Sequence, residues 1–356
     1  MLFIEYCDGL PLALEVLASL LRSIRFEMWE SQYARLQKSL DERVFNVLSW
    51  SFDALQDTVK DIFLHIAFYM VGIKKEYVLK ILDGCDLDGK IGLENLIGKC
   101  LVSVDKYNDT LSMHHLIQQM GYDVVRQKPP IELGRRSRIL GQKDAYEVLR
   151  KKTKKSAVKG LHLDNPDPRD EDISSNKVDV ENSAKRMRTS HIHPANPSRQ
   201  ALQRFGPIKT SSFTKMENLD LLFLENVELE GGFEDFPKGI KWLLWKGCSL
   251  TKVPIEYDLE ELVVLDMRKS CLVHLWNGLK YMGALKILNV SHSHQLASLP
   301  DFSSASMLEW ISCEDCIRLI AVHESIGKLE NLTQLNLEGC INLATLPESI
   351  RNLEKL

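Results

Sequence analysis

Residues 285–290 read Leu-Lys-Ile-Leu-Asn-Val, a stretch in which the first, fourth and sixth positions are apolar. This Leu-x-x-Leu-x-Leu pattern, with conservative substitutes, recurs six times in the second half of the chain. Its first positions are Leu219, Ile240, Leu262, Leu285, Leu308 and Leu332, which lie 21, 22, 23, 23 and 24 residues apart. A seventh unit begins at Leu353. The spacing matches the roughly 20–29-residue period of leucine-rich repeats, so we predict a repeat solenoid over residues 219–356.

A second series of positions keeps the same register. Its members stand three places after the last apolar position of each unit: Val227, Cys248, Ser270, Ser293, Cys316 and Cys340. One unit cannot bury its own apolar positions, but stacked units form a continuous core behind a parallel sheet. The fold class predicted for this half is therefore an α/β leucine-rich-repeat solenoid with a parallel sheet along its concave face.

The outward positions of the repeated strands are the candidate protein-binding surface. The residues proposed for this concave face are Trp242, Asp266, Lys286, Asn289, Trp310 and Asn336. The competing interpretation is that most of them are merely solvated. Trp242 and Trp310 are favoured because exposed aromatic side chains often anchor interfaces, and this requires that neighbouring rungs do not bury them.

The first 140 residues have a different pattern. Apolar residues at helical spacing are followed by the alternating run Leu101-Val102-Ser103-Val104, a turn at Asn108-Asp109, and Leu111-Ser112-Met113. Helices followed by a small hairpin predict an α-helical part with a winged helix. Residues 40–125 carry eight Lys and Arg against thirteen Asp and Glu. Because a DNA-binding face must neutralise phosphates, no DNA partner is expected.

The bulk properties exclude further classes of protein. The chain has 356 residues and a formal net charge of −4, and its longest apolar stretch, Ile62–Val71, is too short to cross a bilayer. We expect no membrane partner. The N-terminus has no basic segment ahead of an apolar one, so no secretory signal is predicted. The eight cysteines are then reduced thiols of a cytoplasmic or nuclear protein.

No catalytic or metal site is predicted. The motifs of serine hydrolases, zinc peptidases and phosphate-binding loops are missing, so we expect no enzyme activity. The spacing Cys313-x-x-Cys316 suits a metal or redox pair, but both positions belong to the repeat and no second pair exists. His114 and His115 are adjacent, and we expect their rings to point in different directions.

The two halves are joined by a basic segment. Residues 126–160 hold twelve Lys and Arg against three Asp and Glu. The favoured interpretation is a solvated connector, and the alternative is a nuclear-import or acidic-partner segment. Beyond it, residues 164 to about 200 contain four prolines, few large apolar residues and unbalanced charge. That composition predicts a disordered insert near the start of the repeats.

Four motifs in order carry a family resemblance. They are Gly9-Leu10-Pro11-Leu12-Ala13-Leu14, Phe63-Leu64-His65-Ile66-Ala67-Phe68-Tyr69, Met113-His114-His115-Leu116-Ile117-Gln118-Gln119-Met120-Gly121, and Gly134-Arg135-Arg136-Ser137-Arg138. Together with the repeats they resemble the nucleotide-binding ARC and leucine-rich-repeat family of plant intracellular disease-resistance proteins. The subclass carrying a Toll/interleukin-receptor domain is the most similar.

This resemblance implies four divisions of the chain. The end of the helical ARC subdomain would cover residues 1–40, and the winged-helix ARC subdomain residues 41–140. The basic connector would cover 141–160 and the leucine-rich-repeat domain 161–356. The front half of the nucleotide-binding module and the signalling domain are expected to be missing, so the chain is interpreted as truncated.

The resemblance also implies nucleotide contacts. In the family, the proline corresponding to Pro11 lies near the adenine of ADP or ATP, and the histidine corresponding to His114 contacts the phosphates. Two departures weaken this expectation. His115 stands where the family has Asp, and no Gly-x-x-x-x-Gly-Lys-Ser/Thr loop occurs. We therefore expect no cofactor in this chain, with Pro11 starting a helix and His114 serving as a structural hydrogen-bonding group.

The function expected from these observations is recognition and autoinhibition in plant defence signalling. The repeats would bind a pathogen protein, a guarded host protein or the receptor's own switch module. The alternative is a leucine-rich-repeat scaffold or decoy that binds a protein without signalling.

Overall fold

Two compact units make up the chain in the computed structural model. The first unit comprises residues 1–131, and the second begins at Glu132. The structure describes residues 2–8, 11–22, 24–36, 40–126, 132–151, 154–166, 205–234, 236–254, 257, 260–276, 278 and 280–356. Most of the predicted insert at 164–200 lies outside the described residues.

The first unit is built from helices, as its periodicity predicts. Its helices are α1 (Leu2–Cys7), α2 (Pro11–Arg22), α3 (Trp29–Leu36), α4 (Glu42–Asp53), α5 (Asp57–His65), α6 (Lys75–Gly84), α7 (Gly89–Gly98) and α8 (His115–Arg126). Two of them begin at aspartate caps. Asp41 accepts a hydrogen bond from the Arg43 amide at 3.0 Å, and Asp88 accepts one from the Ile91 amide at 3.3 Å. Each carboxylate satisfies an amide that the first helical turn leaves free.

A π-helical turn, Ile66–Met70, extends α5 into the core. Within this turn, the Ala67 carbonyl accepts hydrogen bonds from the side chains of Gln118 and Tyr122 on α8. Gly121 allows the close approach of α8, because a Cβ there would lie 3.1 Å from Phe63. Single π turns inside helices are rare, and here the turn contacts a second core helix.

The predicted hairpin is present after α7. Strands β1 (Ser103–Val104) and β2 (Leu111–Ser112) pair antiparallel, with Val104 opposite Leu111. The segment after α5 joins this wing, since the Leu111 amide donates to the Ile73 carbonyl at 2.8 Å. Helices followed by an antiparallel wing confirm the winged-helix prediction.

The second unit is a parallel-sheet solenoid. Its strands are β3 (Arg138–Ile139), β4 (Gly160–Asp164), β5 (Ile208–Lys209), β6 (Leu221–Glu225), β7 (Leu229–Glu230), β8 (Trp242–Lys246), β9 (Val264–Asp266), β10 (Ile287–Asn289), β11 (Trp310–Ser312) and β12 (Gln334–Asn336). The main sheet has the order β3-β4-β6-β8-β9-β10-β11-β12, and β5 pairs separately with β7. The middle leucine of each repeat stands beside its counterpart, as in the pairings Leu243 with Leu265 and Leu265 with Leu288. The predicted register is confirmed.

The second series of repeat positions forms a hydrogen-bonded ladder. Ser293 Oγ donates to the Met267 carbonyl at 3.3 Å, the Cys316 thiol donates to Val290 at 3.3 Å, and the Cys340 thiol donates to Cys313 at 3.0 Å. The carbonyls belong to the preceding rung. Buried backbone carbonyls need hydrogen-bond donors, and the small serine and cysteine side chains at these positions supply them.

Residues 132–151 and 154–160 contribute to the second unit. Strand β3 pairs parallel with β4. Helix α9 (Gln142–Arg150) buries Ala145, Val148 and Leu149 in the solenoid core. These apolar residues share one face of a helix whose remaining positions are mostly charged. Part of the segment interpreted as a solvated connector thus closes the first end of the solenoid core.

Among the described residues, no helix combines the length and the apolar character that crossing a bilayer requires.

Candidate functional site

The concave face of the solenoid consists of side chains that point away from the leucine core. At one position, Leu221, Trp242, Val264, Ile287, Trp310 and Gln334 lie side by side on successive strands. Two residues further along, the row is Phe223, Leu244, Asp266, Asn289, Ser312 and Asn336. The face is therefore apolar over its first rungs and polar over its last rungs.

The first rungs are closely packed. The rings of Phe223 and Trp242 are 4.6 Å apart and nearly perpendicular. Trp242 is only 2% exposed, so the prediction that it is an exposed anchor is wrong. The physical reason is that its neighbours in the adjacent rungs are large and apolar, and the indole packs against them instead of facing solvent.

A charged network lies at the ends of these same strands. Glu225 accepts hydrogen bonds from Lys246 at 2.6 Å and from the imidazole of His162 at 3.2 Å. Burial opposes ionisation of Glu225, but the His162 hydrogen bond and the Lys246 charge outweigh it and lower the pKa to about 2. The carboxylate therefore joins three consecutive rungs, β4, β6 and β8.

Asp266 is the second predicted binding residue that the structure buries. Its side chain is 4% exposed and accepts a hydrogen bond from Arg268 Nε at 2.9 Å. Burial raises the pKa of Asp266, and the Arg268 charge and hydrogen bonds counteract this. Asp266 thus orients Arg268, whose guanidinium is the more exposed member of the pair.

The last rungs present the four remaining predicted residues at the surface. Lys286, Asn289, Trp310 and Asn336 are all half-buried and lie on or beside strands β10–β12. Asn336 donates to Glu314 at 3.3 Å, and Ser291 and Ser312 share a 2.8 Å hydrogen bond. The arrangement is one indole among amide, hydroxyl and carboxylate groups, which suits a protein contact with a central aromatic and a polar rim. Binding by these residues stays a prediction.

The residues proposed for nucleotide contact have structural roles in the first unit. Pro11 is exposed and is the first residue of α2. His114 stands immediately before α8, and its Nδ1 accepts a hydrogen bond from the Leu116 amide at 3.2 Å. Its Nε2 lies 3.2 Å from the carbonyl oxygen of Asp8. These contacts agree with the structural interpretation, and nucleotide contact stays a prediction.

His114 and His115 do not diverge. Their rings are stacked, with centroids 4.8 Å apart and an interplanar angle of 24°. The prediction that adjacent histidines point in different directions is therefore wrong. His115 is the first residue of α8, so the two histidines are not successive residues of a strand, in which side chains would alternate.

The cysteine pair of the repeat is buried in the solenoid core. Cys313 and Cys316 are fully buried, and burial raises the pKa of both thiols, to about 12 for Cys316. A thiolate is the form that attacks disulfides and binds metals. Both side chains therefore act as small core residues.

Comparison with known proteins matches both units. Residues 56–129 match the winged-helix domain of Roq1-like disease resistance proteins. The chain is 34% identical over 329 residues to disease resistance protein RUN1 and 32% identical over 331 residues to RPV1, both of Vitis rotundifolia. It is 29% identical over 325 residues to TMV resistance protein N of Nicotiana glutinosa. These matches cover 91–92% of the chain.

The chain is a relative of plant disease-resistance proteins.

This resistance-type chain spans about a quarter of the length of the curated relatives that it matches, 24% of RUN1 and 23% of RPV1. Among solved structures, the leucine-rich repeat domain of the type III effector XCV3220 (XopL) is 24% identical. That match covers 39% of this chain and 40% of the effector domain, with a TM-score of 0.29.

The site residues that sequence reasoning missed belong to the charged row of this resistance-type solenoid. Aligning the repeats places Glu225, Lys246 and Arg268 at one position, directly after the last apolar residue of each strand. Opposite charges on neighbouring rungs at the same position indicate an ion pair across the sheet. The repeat carries this signal at its polar positions, which the apolar pattern alone does not show.

Proposed function

We propose that this chain supplies the protein-recognition surface of a plant immune receptor. The partner would be a pathogen protein or a guarded host protein, and the surface would be the concave face of strands β10–β12. We also propose the inhibitory role and the ancestral ADP binding that the resemblance implies. We further propose that the chain has no enzyme activity.

One observation carries the proposal more than the others. Trp310 is half-buried between the buried Ile287 and the exposed Gln334 on the outer side of the sheet, and the adjoining row of side chains in this part of the face is polar. An indole with a polar surround is the composition of a binding hot spot. A purely structural face would be expected to continue the closely packed apolar rows of the first rungs.

A photo-crosslinking amino acid at position 334 tests the surface. Gln334 is exposed and stands beside Trp310 on the neighbouring strand. In leaf cells challenged with a pathogen, we expect a covalent adduct with one protein. Trp310→Ala should then reduce the affinity for that protein by about tenfold or more, the loss typical of a hot-spot residue.

Glu324 provides the matched control. It is exposed, and it lies in the 3-10 helix Glu324–Lys328, outside the sheet. A crosslinker at Glu324 should give no adduct with the same protein, and Glu324→Ala should leave the affinity unchanged. Equal adducts from positions 324 and 334, or an affinity insensitive to Trp310→Ala, would show that the concave face is not the recognition surface.

Nucleotide binding is expected to be weak in this chain alone. The sequence offers no phosphate-binding loop, and both ring nitrogens of His114 contact backbone groups. Calorimetric titration with ADP should therefore give a dissociation constant in the millimolar range or no heat. A micromolar constant would contradict the proposal, since it would require a nucleotide site that these residues do not form.

The alternative function is a binding scaffold or decoy that recognises a protein without signalling. Co-expression with the part of RUN1 that precedes the matched region separates the two functions. If the two chains co-purify and ADP binding appears, a receptor role is supported; if they do not associate, the decoy role is favoured.

A further inference from the structure

Three metal-binding side chains converge at the junction of α1 and α8 in the first unit. The carboxylate Oδ2 of Asp8 lies 3.9 Å from Nε2 of His114 and 3.9 Å from Nδ1 of His115. One ligand atom from each of the three residues lies within 4.8 Å of the others. Asp8 directly follows α1 and has a φ of 42°. The stacked histidines lie at the start of α8, His114 immediately before it and His115 as its first residue, so residues 106 positions apart in sequence lie close together.

The surroundings hold this cluster in place while leaving it open. The ring of Tyr6 packs edge-on against His115 with centroids 5.4 Å apart, and its hydroxyl donates to the Leu36 carbonyl at 3.0 Å. The Asp8 side chain is 70% exposed and that of His115 is 42% exposed. An ion from solvent can therefore reach the cluster.

We propose that Asp8, His114 and His115 bind a divalent transition-metal ion of the zinc class. Two imidazoles and one carboxylate are ligands that Zn²⁺, Co²⁺ and Ni²⁺ accept, whereas Mg²⁺ and Ca²⁺ prefer oxygen ligands alone. Water would complete a four-coordinate site. Metal–ligand bonds of about 2.0–2.2 Å require ligand atoms roughly 3.3 Å apart. Reaching that spacing requires a movement of the exposed Asp8 side chain and a rotation of the two imidazoles out of their stacked arrangement.

Metal binding must break hydrogen bonds of His114, and this cost limits the affinity of the site for the ion. His114 Nδ1 accepts the Leu116 amide hydrogen bond, so the neutral ring carries its proton on Nε2. A metal ion at Nε2 replaces the hydrogen bond from this nitrogen to the Asp8 carbonyl, moves the ring proton to Nδ1 and breaks the Leu116 bond that caps α8. The dissociation constant should therefore be micromolar, well above that of a structural zinc site.

His115 is the residue that creates the site. An acid at this position, as the disease-resistance resemblance implies, would leave one imidazole and two carboxylates. The solenoid contains a cluster of that composition, in which His292 Nδ1 lies 3.2 Å from Asp315 and Glu314 is nearby. Glu314 already accepts a hydrogen bond from Asn336. This second cluster has the less favourable ligands and serves as an internal control.

The experiment is a titration of the metal-free full chain with Zn²⁺, repeated with Co²⁺ to read the coordination from its visible absorption. We expect one equivalent to bind with a micromolar constant. His115→Asp and Asp8→Asn should each weaken binding by about tenfold or more, a loss seen even for residues that only orient a ligand. His292→Ala should have no effect.

A second readout is hydrogen exchange in α1 and α8. At a zinc concentration about a hundred times the dissociation constant, amide protection there should rise up to about a hundredfold. Circular dichroism verifies that each variant is folded, and Asp8→Asn changes only an exposed side chain. Failure to bind below millimolar zinc would overturn the proposal, as would affinity unchanged in both Asp8→Asn and His115→Asp.

Discussion

Trp245→Ala is expected to destabilise the solenoid by about 3–5 kcal/mol, the range for removing a large aromatic side chain from a core. Trp245 is 2% exposed and packs in the core formed by β6, β8 and β9. Its indole nitrogen donates to the Val227 carbonyl at 3.0 Å. The substitution therefore creates a cavity and also leaves a buried carbonyl without its donor, which adds to the cost.

Hydrogen-exchange mass spectrometry measures this effect without assuming that the whole chain unfolds in one step. Amides of β6, β8 and β9 should exchange roughly a hundredfold faster or more, whereas those of α5 and α8 should keep their protection. Trp50→Ala is the matched control, because Trp50 is 74% exposed on α4. Equal effects of the two substitutions would contradict the assignment of Trp245 to the core.

The repeat period explains how much of this core could be predicted from the sequence. Leu243 and Trp245 fall on apolar positions of the pattern, and both are buried behind the sheet. Alternation along a strand also places Trp242 on the opposite face, as predicted. Its burial was not predictable in the same way, because it depends on Phe223, a residue of the preceding rung.

The proposed metal-binding cluster could not be predicted from the sequence, because its residues are far apart along the chain. The cluster of Asp8 with His114 and His115 joins residues that no local pattern connects. Helix α9 was not predicted because the segment that contains it is rich in charged residues. Its Ala145, Val148 and Leu149 nevertheless have the spacing of one helix face. The period of apolar residues predicts helices and strands well. Which polar side chains come together in space depends on the tertiary structure, which the period does not give.

Glu225→Gln is expected to cost the solenoid about 2–3 kcal/mol at neutral pH, since it removes the negative charge shared by His162 and Lys246. The pKa of Glu225 is lowered from its ordinary value of 4.5 to about 2. Such a group contributes stability above its unfolded pKa and loses it as the pH falls through the folded pKa. The difference corresponds to about 3 kcal/mol.

The pH dependence separates this ion pair from a simple packing effect. Protection of the β6 and β8 amides should fall in the wild-type chain as the pH decreases from 4.5 toward 2, and should change less in Glu225→Gln. Glu261→Gln is the matched control. Glu261 pairs with Lys241 between neighbouring rungs, but its side chain is 57% exposed. Removing an exposed pair should cost less than about 1 kcal/mol. If the two substitutions lowered the free energy of unfolding equally, burial would not be what strengthens the hydrogen bonds and ion pairs of Glu225. The row of charges would then be a solvated edge of the sheet.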